Sequence, residues 1–194
     1  MSGHSKWSTI KRQKGVADVK RGAEFSKLSR VITLAAKEGK SLDPDLNFKL
    51  RFAIDKAHSA NMPHDNIQRA IKAGGEAGEG VNLEELTLEG YGPSGVAVML
   101  LVLTDNRNRT VPEIRRIFSE HQGSLGEKGC TAYVFSPEPQ NPIFSVSIND
   151  EKVAKQVLTL VEKLEEHDDV SEIWSNFEIP DDMMQKISDS SSQT

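Results

Sequence analysis

Cysteine is almost absent from this 194-residue sequence, in which Cys130 is the single example. One cysteine cannot form an intrachain disulfide framework or a multi-cysteine metal site, and its apolar surroundings favour a small buried side chain over a reactive thiol. Long apolar runs are missing as well, since none approaches the roughly 18 residues of a membrane span. The N-terminus lacks the apolar segment of a signal peptide. We therefore expect a cytoplasmic protein without disulfides or a membrane-spanning helix.

Residue patterns typical of catalysis and metal binding are also scarce. No pair among the five histidines has the spacing of metal ligands on one helix; His58 and His64 are six residues apart, with Pro63 between them. Neither a Gly-x-Ser-x-Gly motif nor a recognisable Cys/His pair occurs, and the acidic run at 165–169 is typical of a solvated helix end. We expect no enzymatic activity, metal, cofactor or small-molecule substrate. A hydrolase whose residues escape these patterns is the alternative.

Charge is distributed very unevenly along the chain. The net charge is −5, yet residues 1–73 contain 15 Lys/Arg against 7 Asp/Glu, whereas residues 74–194 contain 9 against 22. Asymmetry of this size indicates two units with different roles. Because the whole protein is acidic, we expect any contact with nucleic acid to be confined to the basic N-terminal part.

The first thirty residues carry eight Lys/Arg against two acidic residues, and one aromatic residue, Trp7, lies among the first of these basic residues. Basic side chains bind phosphates, and an aromatic ring among them can stack on a base. Alternatively, the charges form an ordinary solvated flank and Trp7 packs on its own helical domain. The sequence predicts nucleic-acid-binding residues that share this basic stretch: Lys6, Trp7, Lys11, Arg12, Lys14, Lys20, Arg21 and Lys27.

A second basic cluster surrounds the start of a predicted helix in the acidic part of the chain. Arg107 and Arg109 precede this helix, and Arg115 and Arg116 lie within it. Backbone N–H groups and the helix dipole favour an anion at such an end, and guanidinium groups can add paired contacts. Arg107 and Arg109 are therefore predicted to bind nucleic acid. The alternative is that these arginines form salt bridges with nearby acids.

Apolar spacing predicts three helices in residues 1–75. Side chains at intervals of three and four give a first helix from about residue 17 to 38. Asp43 is predicted to be the N-cap of a second helix, with Pro44 at its first position and an apolar stripe that includes Leu46. Pro63 opens a third helix. Short amphipathic helices of this kind predict a three-helix bundle.

The second half of the chain has the pattern of a mixed sheet and helix domain. A glycine-rich linker at 76–83 precedes a domain at 84–180, and residues 181–194 are predicted to be a disordered tail. Thr110 begins a capping box for a helix. Predicted strands lie at 84–91, 96–103, 130–135, 144–148 and 170–177, with helices after the second and the fourth. The predicted fold class is α+β, with a ferredoxin-like βαββαβ domain that has one extra N-terminal strand.

Several motifs resemble those of one protein family. The start of the chain carries Gly3-His4-Ser5-Lys6-Trp7 and Ile10-Lys11, and later blocks are Asn61-Met62-Pro63, Glu89-Gly90-Tyr91-Gly92-Pro93, Thr104-Asp105-Asn106-Arg107-Asn108-Arg109-Thr110 and Asn176-Phe177. Together these motifs resemble the YebC/PmpR family, to which the mitochondrial translational activator of cytochrome c oxidase also belongs. The likeness extends from the first residue to about residue 180.

The resemblance implies a non-enzymatic, nucleic-acid-binding regulator of gene expression. Most members are described as probable transcriptional regulators that bind DNA, whereas others resemble ribosome-associated translation factors that bind ribosomal RNA. A protein-interaction module without nucleic-acid contact is a further alternative. Family members also resemble a three-domain chain with a domain inserted shortly after the position of Phe135. Here residues 136–142 connect directly to Ile143, so that we expect the inserted domain to be absent.

Overall fold

The computed structural model describes Trp7, Thr9 and residues 17–39, 41–75 and 83–191. Its contacts divide the chain into two compact units. The helical unit comprises the described residues of 17–86 and 103–107. The sheet unit comprises Trp7, Thr9 and the described residues of 87–102 and 108–194. The predicted linker at 76–83 lies outside the described residues, except for its last position.

Three helices form the helical unit: α1 (Ala17–Glu38), α2 (Phe48–Ser59) and α3 (His64–Gly75). The first helix packs against both of the others. Their apolar residues recur every three or four positions, which brings them to one face of each helix. The shared core consists of Leu28, Ile32, Ala35, Ala36, Leu50, Ala53, Ala57, Met62, Ile67, Ala70 and Ile71.

The start of α2 differs from the prediction. Its N-cap is Asn47, whose side-chain oxygen accepts a hydrogen bond from the Leu50 N–H at 3.0 Å. The Asn47 amide also donates to the carbonyl of Ala35 at 2.8 Å, which ties this cap to α1. The Asp43 side chain instead accepts a hydrogen bond from the Asp45 N–H, within the turn that precedes the helix. The predicted cap was therefore wrong by one turn.

Among the described residues, the larger sheet has four strands: β1 (Glu84–Tyr91), β2 (Ala97–Thr104), β3 (Ser124–Leu125) and β5 (Val170–Ser175). Their order in the sheet is β3–β1–β2–β5. Strands β2 and β5 are antiparallel, with Val98 opposite Ser175. Two further short strands, β4 (Val146–Ser147) and β6 (Phe177–Glu178), pair in parallel. Further α-helices of the described residues are α4 (Arg107–Glu120), α5 (Ala132–Phe135), α6 (Glu151–Glu166) and α7 (Asp181–Ser191).

The mixture of helices and strands agrees with the predicted α+β class, but the predicted ferredoxin-like strand order does not match. The segment from Cys130 to Phe135 is a turn followed by the short helix α5, not a strand. Strand β1 lies beside β2, where the ferredoxin-like order would put the 144–148 strand. Only a five-residue connection separates β1 from β2, so their pairing has a small loop-closure cost. The pairing of β1 with β2 therefore takes the place in the sheet that the ferredoxin-like order gives to the 144–148 strand.

Two smaller predictions also fail. Thr110 is the fourth residue of α4 instead of its cap, because the helix already begins at Arg107. Residues 181–191 form α7 instead of a disordered tail, and the buried side chains of Met184 and Ile187 explain its order. Among the described residues, none of the helices has the length and apolar character to cross a bilayer.

Candidate nucleic-acid interface

Most residues of the predicted basic stretch lie where the structure gives no side-chain description. Lys6, Lys11, Arg12 and Lys14 are outside the described residues, and Lys20 and Arg21 lie in α1 without a described side chain. Lys27 is half-buried in the same helix. Their role in binding phosphates therefore stays a prediction.

Trp7 is buried in the sheet unit. Its side chain is 2% exposed, and its indole N–H donates to Glu162 Oε1 of α6 at 3.0 Å. The alternative prediction placed this ring on the N-terminal helices, yet its hydrogen-bond partner lies in the other unit. A base needs an accessible ring face to stack. Stacking on Trp7, which stays a prediction, would therefore require this contact to open.

The two predicted arginines near α4 have different surroundings. Arg107 is exposed at the first position of the helix. Arg109 contacts a buried carboxylate: its Nη2 lies 2.8 Å from Asp169 Oδ2, and Asp169 is 2% exposed. The Thr110 hydroxyl donates to the same oxygen at 2.5 Å. Arg109 therefore forms the kind of internal salt bridge that the sequence had offered as the alternative to nucleic-acid binding.

A histidine extends this network around Asp169. The ring Nδ1 of His167 accepts the Asp169 backbone N–H at 3.1 Å, so the proton of the neutral ring lies on Nε2. That Nε2–H then donates to Glu113 Oε2 at 3.1 Å, and the same oxygen lies 3.9 Å from Arg109 Nε. These contacts join the first turns of α4 to the turn before β5. Their geometry supports an anchoring role for the network.

Sequence reasoning missed Asp169 because it assigned the acidic run at 165–169 to solvent. Asp169 lies 60 positions from Arg109, and no local pattern marks that pairing. A buried carboxylate requires a partner, since removing it from water without one is very costly. The structure therefore identifies a residue that the charge pattern could not.

A second buried carboxylate anchors the turn before α5. Glu89 accepts hydrogen bonds from the Gly129 and Thr131 N–H groups, both at 2.7 Å, and from the Thr131 hydroxyl at 2.9 Å. Burial acts to raise the pKa of Glu89, but these donors outweigh it and hold the pKa below its ordinary value. This interaction holds the backbone of 129–131 in a turn, which explains why the predicted strand at 130–135 does not form.

The same turn places a cysteine beside two tyrosines. The Tyr91 hydroxyl donates to the Cys130 carbonyl at 2.5 Å, and it lies 3.3 Å from the Tyr133 hydroxyl. The hydrogen bond with Tyr133, together with burial, raises the pKa of Tyr91 to about 12. Burial, followed by the charge of Glu89, raises the pKa of the Cys130 thiol. A raised pKa reduces the thiolate fraction, which disfavours a reactive role for Cys130.

The outer side of α2 carries an aromatic pair that the sequence-based site prediction did not include. Phe48 is 72% exposed and Phe52 is 64% exposed. The guanidinium carbon of Arg51 lies 5.5 Å from the centre of the Phe48 ring, within cation–π range. Leu46, which was predicted to be part of the inward stripe, is 77% exposed in the preceding turn. The helical unit therefore presents large apolar groups to solvent beside positive charge.

The helical and sheet units define an α+β protein in which residues 1–73 are net basic and residues 74–194 are net acidic. Comparison with known proteins supplies the family. The model described as the TACO1/YebC protein N-terminal domain matches residues 5–77, and the model described as the TACO1/YebC second and third domain matches residues 83–140. The chain belongs to the TACO1/YebC family.

Several curated relatives share nearly the whole chain. A "probable transcriptional regulatory protein" of Halothermothrix orenii is 40% identical over 253 residues, covering 97% of this chain and 100% of the relative. One of Rubrobacter xylanophilus is 42% identical over 250 residues, covering 96% and 99%. Among solved structures, the conserved hypothetical protein Aq1575 of Aquifex aeolicus matches with a TM-score of 0.78 and 37% identity, covering 84% of this chain and 93% of that one.

These alignments also show that relatives have internal residues without a counterpart in this chain. An alignment of 253 positions is longer than the 194 residues of this chain, although it covers 97% of it, so the relative contains an internal segment without a counterpart. The model of the second and third domain matches only to residue 140. Near that point the Ile143 N–H donates to the Val134 carbonyl at 2.8 Å. The two sides of the short connection are thus held together, and the absence of an inserted domain there stays a prediction.

Proposed function

We propose that this protein is a non-enzymatic regulator of gene expression that binds nucleic acid through its basic N-terminal part. The observation that carries the proposal is the separation of charge, with 15 Lys/Arg against 7 Asp/Glu in residues 1–73 and 9 against 22 in the remainder. The names of the relatives as probable transcriptional regulatory proteins support a regulatory role. Phosphates would be bound mainly by the lysines and arginines of the first thirty residues.

The acidic part of the chain supports a different role in this proposal. At α4, the cation of Arg109 is neutralised by the buried carboxylate of Asp169. The contacts of Asp169 favour a structural role for it over an acid–base role in catalysis. We infer that residues 74–194 restrict nucleic acid to the basic part, since their many carboxylates repel phosphates.

The salt dependence of binding tests this proposal. Each phosphate that a protein neutralises releases counterions, so the logarithm of the binding constant falls with the logarithm of salt concentration by about 0.9 per contact on duplex DNA. Replacing Lys11, Arg12 and Lys14 with Ala should flatten this slope by roughly 2 to 3. A matched control replaces Lys152, Lys155 and Lys163 of α6 with Ala, which changes the net charge equally within the acidic part. Equal slopes for the two variants would refute the proposal.

A second candidate target is ribosomal RNA, which would make the protein a ribosome-associated translation factor. The exposed aromatic pair on α2 favours it, because unpaired bases are common in folded RNA and accept stacking by side chains. Crosslinking in cells followed by sequencing of the bound nucleic acid separates the two targets. Recovery of promoter DNA alone would exclude the translation role, and recovery of ribosomal RNA alone would exclude the transcription role. Recovery of neither would favour a protein-interaction module.

A further inference from the structure

The outer side of α2 is built unlike its inner side. Leu50, Ala53 and Ala57 face the core of the helical unit and are buried. Phe48 and Phe52 lie opposite them, four residues apart, and most of each ring is exposed. At a rise of about 1.5 Å per residue, the two rings follow one another at about 6 Å along the helix. We call these two residues the aromatic ridge.

Positive side chains border the aromatic ridge on both sides. At about 100° per residue, Lys49 and Lys56 lie along one flank of α2, and Arg51 lies along the other. The guanidinium of Arg51 is already held over the ring of Phe48. Lys49 also pairs with Glu38 of α1 at 2.8 Å, and Asp55 lies on the side of the rings, between Phe48 and Arg51. Three cations, Lys49, Arg51 and Lys56, therefore border the ridge against two acids, Glu38 and Asp55.

We propose that the aromatic ridge stacks unpaired bases of single-stranded nucleic acid, while Arg51, Lys49 and Lys56 contact the adjoining phosphates. This inference rests on the proposed nucleic-acid binding and names the ligand class and the residues. Stacking on aromatic side chains combined with basic groups is how single strands are bound without sequence preference. A duplex would not use the ridge, because its bases stack on each other. An apolar protein segment fits less well, since both flanks of the ridge are charged.

Fluorescence anisotropy with labelled oligouridylate, oligothymidylate and a short DNA duplex tests this assignment. Replacing both Phe48 and Phe52 with Ala should weaken the binding of single strands by about tenfold per ring, which corresponds to typical stacking energies. Binding of the duplex should change less than twofold. The matched control is Leu46→Ala, which removes an apolar side chain of equal or greater exposure and should leave all three affinities unchanged. The two single-stranded probes distinguish RNA from DNA.

Further variants separate stacking from simple apolar contact. Replacing both phenylalanines with Leu keeps apolar area but removes the rings, and it should weaken the binding of single strands about as much as the Ala variant. If the Leu variant binds single strands like the unaltered protein, stacking is refuted. If the unaltered protein binds single strands and the Ala variant binds them equally well, the ridge is refuted while the proposed function stands. If the unaltered protein binds none of the probes, the proposed function itself is wrong. Thermal unfolding confirms that each variant is folded.

Discussion

Arg51 of the helical unit and Arg109 of the sheet unit carry the same charge, but their guanidinium groups contact different partners. Arg51 lies over an exposed phenylalanine ring on the outer side of α2. Arg109 is 43% exposed but reaches a carboxylate that is almost completely buried. The first arrangement presents positive charge to solvent, whereas the second uses it to neutralise an internal acid. Net charge therefore misleads about function unless the partner of each charge is known.

The largest expected effect comes from removing the arginine that neutralises the buried acid. Arg109→Met should lower the free energy of unfolding by about 3 kcal/mol, because it leaves the carboxylate of Asp169 buried without its ion-pair partner. Arg51→Met, the matched control, should change that free energy by less than about 0.5 kcal/mol because its site is exposed. Urea denaturation of both variants measures the difference. Equal losses of stability would show that the contrast between the two arginines is false.

Removing the carboxylate of Asp169 should lower the free energy of unfolding less than removing the guanidinium of Arg109. Asp169→Asn keeps the size of the side chain and leaves Arg109, which can still be hydrated because nearly half of it is exposed. We expect a loss of about 1–2 kcal/mol, mainly from the weakened contacts with Arg109 and Thr110. If the loss from Asp169→Asn exceeds that from Arg109→Met, the burial of Asp169 is not what makes the pair important.

The pH dependence of the free energy of unfolding tests the role of the second buried acid, Glu89. The pKa of folded Glu89 lies below its ordinary value of 4.5, so its stabilising contribution is complete above that value and is lost as the pH falls through the folded pKa. Glu89→Gln should lower the free energy of unfolding by about 2 kcal/mol near neutral pH, because its amide cannot accept all the donors of the turn. The difference from the unaltered protein should shrink below the ordinary pKa. Urea titrations at several pH values measure it, and a difference independent of pH would contradict the assignment.

Long helices and strands could be predicted from the sequence, whereas the short segment at 130–135 could not. Apolar spacing placed α1 and α3 correctly because neighbouring turns of a helix alone decide which side chains share a face. The segment from Cys130 to Phe135 is short and apolar, which is compatible with either a strand or a buried helical turn. Its structure depends on Glu89, about 40 residues away. Local periodicity cannot report such a contact.

The candidate sites show the same division between local and distant information. The partner of Arg109 was not predictable because Asp169 lies far along the chain and stands in a run of acids. The aromatic ridge was within reach of the sequence, since Phe48 and Phe52 fall on the side of α2 away from Leu50 and Ala53. The prediction considered only the apolar stripe on the inner side of α2 and left out the large apolar residues on its outer side.

Trp7 offers a smaller test, because it is a residue of the basic stretch that packs within the acidic unit. Trp7→Phe keeps an aromatic ring but removes the N–H that donates to Glu162 at 3.0 Å. We expect the free energy of unfolding to fall by about 1 kcal/mol, the usual contribution of one hydrogen bond together with a small loss of packing. Glu162→Gln retains an acceptor and should cost less. A larger loss from Glu162→Gln would show that other contacts of Glu162 dominate.

The smallest effect is expected in the short connection at 136–142. Inserting a short Gly/Ser segment between Glu138 and Pro139 lengthens a connection whose two sides are already joined by the hydrogen bond between Val134 and Ile143. Loop-closure entropy grows slowly, at about 0.6 kcal/mol for each doubling of length, so the free energy of unfolding should fall by less than about 1 kcal/mol. The same insertion within α6, between Leu158 and Thr159, should unfold the sheet unit because it shifts the buried face of that helix out of register. Equal losses would show that the connection itself contributes to the core.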